Sequence, residues 1–202
     1  MKKILYSVAL AACCMGTMTS CSDFLDASNK SNVTAKQSFA TKEGLNNLVN
    51  NAYQHLQNVY AAPLFTSCFS AGTDMYADAR NKMNEALNTY ETLTPENTDI
   101  KNLYTYLYSG IRAANSVSYY AQTAQVDDKT KGQLVGEARV LAAYEYYLLV
   151  NNFGGVPIMK DFLTTADTGY PKSSAADVYA YIISELEDVI SKNVLQASTA
   201  TK

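Results

Sequence analysis

The chain has 202 residues, a formal net charge of −3 and a single histidine. Mild acidity without a basic patch argues against a nucleic-acid partner and against electrostatic docking on an anionic membrane surface. One histidine and few cysteines cannot supply the three or four clustered nitrogen and sulfur ligands of a zinc site.

Residues 1–20 read as a secretion leader. Lys2 and Lys3 make a positive start, 4–12 is a run of apolar and small residues, and Met18, Thr19 and Ser20 lead to Cys21. The run falls far short of the roughly 20 residues that span a bilayer. Leu10-Ala11-Ala12-Cys13 has the better local lipobox. Cleavage there, however, leaves too little of the ~7–15 apolar residues that export needs. Cys21 is therefore expected to carry lipid and begin the mature chain; the alternative is an ordinary secretory leader cleaved nearby, with Cys21 unmodified. Cys68 is then left without an intramolecular disulfide partner, in the apolar stretch 64–71. It reads as a small core residue rather than a reactive thiol.

Residues 21–37 are polar and rich in Ser, Asn, Lys and Thr, with one apolar anchor at Phe24 and Leu25. They read as a flexible tether, followed by a helical domain over 38–202. Thr41 can cap a first helix with Glu43 in its first turn, and Leu45, Leu48, Val49, Ala52, Tyr53 and Leu56 recur at helical spacing. A second helix is predicted over about 76–90, and a third from Thr98 and Asp99, carrying Leu103, Tyr104, Leu107, Tyr108, Ile111 and Ala114. The fourth follows Asp127 and Asp128, buries Leu134, Ala138, Leu141 and Tyr144, and stops before Gly154-Gly155 and Pro157. The fifth opens on a capping box, Ser174 with Asp177, and its stripe is Val178, Ile182, Leu186 and Val189. Val156-Pro157-Ile158 is at most a short extended piece. Successive amphipathic helices joined by modest loops predict an all-α fold, and alanines mixed with tyrosines on the third and fourth helices predict close tetratricopeptide-like pairs.

No constellation of catalytic residues emerges. A nucleophilic hydrolase would need His55, which lies between Gln54 and Leu56 and reads as solvated surface. Asp74 with Asp78, and Glu185 with Glu187, are the carboxylate pairs a glycosidase or a calcium ion could use, but two carboxylates are far from the 6–8 oxygens calcium takes. Glu185, Glu187 and Asp188 read as the solvated side of the fifth helix. Gly154-Gly155 lacks a phosphate-loop pattern and reads as a helix stop. Sixteen tyrosines are the richest feature. Tyr104, Tyr108, Tyr144 and Tyr147 recur at helical spacing and read as core, whereas Tyr60, Tyr76 and Tyr170 are freer to touch a ligand. No residue is singled out as ligand-binding.

Three blocks resemble the SusD/RagB family of outer-membrane nutrient-binding lipoproteins. They are Tyr104-x-x-Leu107-Tyr108-x-x-Ile111-x-x-Ala114-Asn115, then Gly136-Glu137-Ala138-Arg139 through Tyr144 to Phe153-Gly154-Gly155-Val156-Pro157, then Val178-Tyr179-x-x-Ile182-Ile183-x-Glu185-Leu186. The start, Cys21-Ser22-Asp23-Phe24-Leu25-Asp26, is similar too. The family pattern has Trp at Tyr104, Arg at Ala142 and Asp at Glu185, so this chain departs from it there. The resemblance implies a protein that captures glycans or other nutrients, and the residues themselves point to no catalysis, cofactor or metal site. It also implies delivery of the ligand to a TonB-dependent transporter of the SusC type. A helical scaffold binding a protein partner and no sugar is the alternative. Family members run to several hundred residues, so 38–202 is expected to be the incomplete N-terminal part of the fold. An uncovered apolar surface on the fifth helix and weak or absent glycan affinity are expected with it.

Overall fold

The computed structural model describes residues 34–61, 63–76, 85–165 and 169–195; the leader, Cys21, Cys13 and Asp78 lie outside them. Its elements, in chain order, are α1 (Ala35–Ser38), α2 (Lys42–Tyr60), α3 (Leu64–Phe69), α4 (Glu85–Thr89), α5 (Thr98–Ala121), α6 (Asp128–Phe153) and α7 (Ala175–Ser191). No strand forms among the described residues. Two isolated bridges, Thr73 with Tyr76 and Pro157 with Lys172, are the only extended pairings there. The last residues of the expected tether are already helical, in α1.

Side chains fix where the long helices begin. Thr41 Oγ1 accepts from the Gly44 amide at 3.1 Å, and Asn97 Oδ1 accepts from Asp99 and Ile100 at 3.0 and 3.2 Å. Asp127 Oδ1 accepts from Thr130 at 2.9 Å, and Ser174 and Asp177 form a reciprocal capping box. Each satisfies amides that a helix start leaves without a partner. Gly154 ends α6 at φ 69°, a conformation glycine takes without a Cβ penalty.

Of the helix predicted over about 76–90, the described residues show its last part as helix and its two ends as non-helical. Tyr76 sits in a bridge, α4 covers only Glu85–Thr89, and Tyr90 turns to φ 63°.

α2 packs on α5, α5 on α6, and α6 on α7, with α3 against α2 and α5. The core has two parts. One joins Leu45, Leu48 and Ala52 of α2 to Ala113, Val117 and Ala138. The other joins Leu103, Leu107 and Ile111 of α5 to Tyr146 and Leu149 of α6 and Val178 and Ile182 of α7. α6 lies between α5 and α7 and is apolar on more than one side, as a helix buried between neighbours must be. The α5–α6 approach is close because it is made of small residues. A Cβ on Gly110 would sit 1.7 Å from Glu145 Oε1.

On α7, Val178, Ile182 and Val189 are buried, whereas Tyr179, Ile183 and Ile190 are exposed, Ile190 by 75%. The exposed apolar row lies one residue round the helix from the buried one, about 100° away. Glu185 and Asp188 are not on the solvated side. Both carboxylates hold Arg139 of α6, Glu185 at 2.7 Å, and only Glu187 of the three acids points fully outward. They lie one helical turn apart beside the buried row, where they meet α6.

Candidate functional site

The tyrosines divide differently from their spacing. Tyr104 and Tyr108 are half-buried, with centroids 4.7 Å apart, and the Tyr108 hydroxyl donates to the Pro157 carbonyl at 2.8 Å. Burial, and then the hydrogen bond with Tyr104, push the Tyr108 hydroxyl's pKa well above that of an ordinary tyrosine. Tyr144 and Tyr147 are not core residues. They are 39% and 47% exposed, on the outer side of α6, with their rings stacked at 6.2 Å. Helical spacing places two residues on one face without saying which face is buried. The buried tyrosine of α6 is Tyr146, fully enclosed and edge-on to Tyr181 at 5.4 Å. Its hydroxyl accepts from the Met159 amide at 2.7 Å and donates to the Met159 carbonyl at 3.2 Å, which ties down the segment after α6.

An aromatic surface runs across α2, α3 and α6. Phe69, Phe65 and Tyr60 stack in sequence at 5.3 and 5.4 Å, and the Tyr60 and Tyr144 hydroxyls share a hydrogen bond. Tyr60 is exposed, in keeping with its expected freedom, while Tyr76 and Tyr170 are half-buried. Tyr53 donates to Glu137 at 2.7 Å. Burial, followed by that carboxylate, raises the Tyr53 pKa to about 12.

Two clefts meet on the other side of α5. The first is a groove between α2 and α5 of about 350 Å³. Asn51 and His55 stand on one wall and Ser109 and Arg112 on the other, over Leu48 and Ala113. Phe39, Tyr120 and Phe162 close one end, with Tyr120 4.8 Å from Phe39 and 5.8 Å from Phe162. The second cleft, of about 300 Å³, lies between α5 and the segment 159–165 and is lined by Arg112, Asn115, Asp161, Thr164 and Thr165, among others. Arg112 belongs to both, and its guanidinium lies over the Phe162 ring at 5.6 Å. Asn115 Nδ2 donates to the Met159 carbonyl at 2.8 Å, which holds the second cleft's far wall to α5.

His55 is therefore not solvated surface. It is half-buried in the groove, and its Nδ1 has no hydrogen-bond partner among the described residues. Burial lowers its pKa, so the imidazole is neutral at pH 7. No cluster of three or more metal-ligating side chains occurs among the described residues. Cys68 is half-buried beside the second core, and burial, with the Asp99 charge behind it, pushes its thiol up to about 11. It remains protonated at neutral pH, as an unreactive thiol does. Glu145 is the group the sequence gives least reason to expect. It is fully buried, neither carboxyl oxygen has a hydrogen-bond partner among the described residues, and burial raises its pKa to about 9.

Residues 23–199 match the SusD-like family model described as starch-binding associating with outer membrane. The chain belongs to the SusD-like family. SusD-like protein P38 of Formosa agariphila is 28% identical over 190 residues, which cover 92% of this chain and 36% of that protein. Surface glycan-binding protein A from Bacteroides uniformis superposes with a TM-score of 0.67 at 25% identity, over 79% of this chain and 36% of that one. A laminarin-binding SusD-like protein shares the fold at a TM-score of 0.63 and 20% identity, over 73% of this chain and 33% of that one. The chain spans about a third of the length of these SusD-like relatives. Their fold is helical and tetratricopeptide-like, as the helix pattern predicts.

Proposed function

We propose that the chain is a non-catalytic outer-membrane lipoprotein, anchored through lipid on Cys21 and exposed at the cell surface. It binds glycans or related nutrients and delivers them to a TonB-dependent transporter of the SusC type. The family match over residues 23–199 carries this reading. The name of the Bacteroides uniformis relative, a surface glycan-binding protein, supports the ligand class. The surface also offers half-exposed aromatic rings beside amide, guanidinium and imidazole groups, a combination suited to polyhydroxyl ligands. Among the described residues no helix is long and apolar enough to cross a membrane.

The anchor has a direct test. Cys21→Ala is expected to move the chain from the membrane fraction to the soluble fraction, or to leave the leader uncleaved, while Cys13→Ala stays membrane-bound. Stable anchoring needs two lipid signals, so losing the lipidated residue should release most of the protein. A membrane-bound Cys21→Ala together with a released Cys13→Ala would place the anchor at Cys13.

A further inference from the structure

We propose that the two clefts astride Arg112 form a single site for a neutral saccharide, with sugar rings laid against Phe162 and Tyr120 and hydroxyls held by Asn51, His55, Arg112 and Asn115. The proposal rests on the glycan-binding reading above and locates it.

The chemistry of the lining is specific to that class of ligand. A sugar presents an apolar C–H face and a rim of hydroxyls, each both donor and acceptor. Phe39, Tyr120 and Phe162 form a fixed aromatic end wall, since each ring is held by its neighbour. The neutral His55 ring carries one donor and one acceptor, matching a hydroxyl, and its Nδ1 is unpartnered in the wall of the groove. Asn51 and Arg112 make no side-chain hydrogen bond or ion pair with any other described residue, so their planar, forked groups are available to adjacent hydroxyls. Asn115 spends its Nδ2 on Met159 and keeps Oδ1 as an acceptor toward the second cleft.

Charge and size narrow the class. Arg112 and Asp161 both line the second cleft, so the charges of its lining balance and give no excess of one sign to select a charged ligand there. Each cleft has the volume of a small ligand site, and because Arg112 lines both, a chain of linked sugars could occupy them in succession. The tyrosine surface across α2, α3 and α6 is less suited. Its Tyr60 and Tyr144 hydroxyls are engaged with each other, and Tyr53 is engaged with Glu137.

The full chain, purified in detergent, can be titrated calorimetrically with maltoheptaose and with laminarihexaose. Arg112→Ala and Phe162→Ala are each expected to weaken binding by roughly tenfold or more, with Tyr147→Ala keeping wild-type affinity. Arg112 and Asn51 are both exposed. Arg112→Ala and Asn51→Ala therefore carry the test should Phe162→Ala fail to fold. Wild-type affinity in both of these would overturn the site and leave glycan binding standing. Absence of binding to either oligosaccharide would also overturn the site, while retention by a whole polysaccharide would still keep the wider reading.

Discussion

Glu145→Gln will remove a fall in stability with pH that the wild-type chain shows between about pH 7 and pH 9, amounting to about 2 kcal/mol. The cause is the raised pKa of this acid, about 9 in the fold against 4.5 as its ordinary value. Between those values the folded chain keeps a proton that the unfolded chain has released. Raising pH therefore favours unfolding across that window, by up to about 1.4 kcal/mol per unit, and the loss levels off above the folded pKa. His55 shifts the other way, but above its ordinary value of 6.5 it is neutral in both states and drops out. Denaturant unfolding at several pH values measures the slope for both proteins. Parallel curves would mean that Glu145 reaches water or an unseen partner. The packing leaves no room for that, since Gly110 lets α5 come up against the carboxyl.

Tyr146→Ala is expected to cost about 3–5 kcal/mol, as loss of a buried aromatic ring does. Tyr146→Phe should cost about 1–3 kcal/mol. The ring is fully enclosed between Tyr108 and Tyr181, both edge-on to it. The hydroxyl accepts from the Met159 amide and donates to the Met159 carbonyl, which Asn115 also reaches. Thermal or denaturant melts give both numbers. A cost below about 0.5 kcal/mol for the Phe variant would show that the Met159 amide finds water instead.

The helix framework was largely legible because it is written in local chemistry. Thr41, Asp127 and the Ser174–Asp177 pair cap where their side chains say they should, and Gly154 stops α6. The stripe on α7 named three buried residues, Val178, Ile182 and Val189, while its fourth, Leu186, is half-buried. α6 was harder to read, because a helix buried between two neighbours has no single stripe. Spacing alone points Tyr144 and Tyr147 inward, whereas Tyr146 takes that place. Glu145 was unreadable for the same reason, since nothing near it in sequence marks an acid as buried. The polar neighbours of His55 in the chain point to solvent, whereas its burial comes from α5, more than fifty positions on. The clefts combine α2, α5 and the segment 159–165, so no contiguous motif announces them. Arg139 sits in a family block, but its grip on Glu185 and Asp188 depends on how α6 meets α7.

Native electrophoresis of the full chain through gels containing soluble starch or laminarin tests the central claim most directly. The account predicts clear retardation by at least one of the two polysaccharides, relative to a gel without either and to a non-binding control protein. Equal mobility in all three gels would contradict it and leave a helical lipoprotein scaffold that binds no sugar.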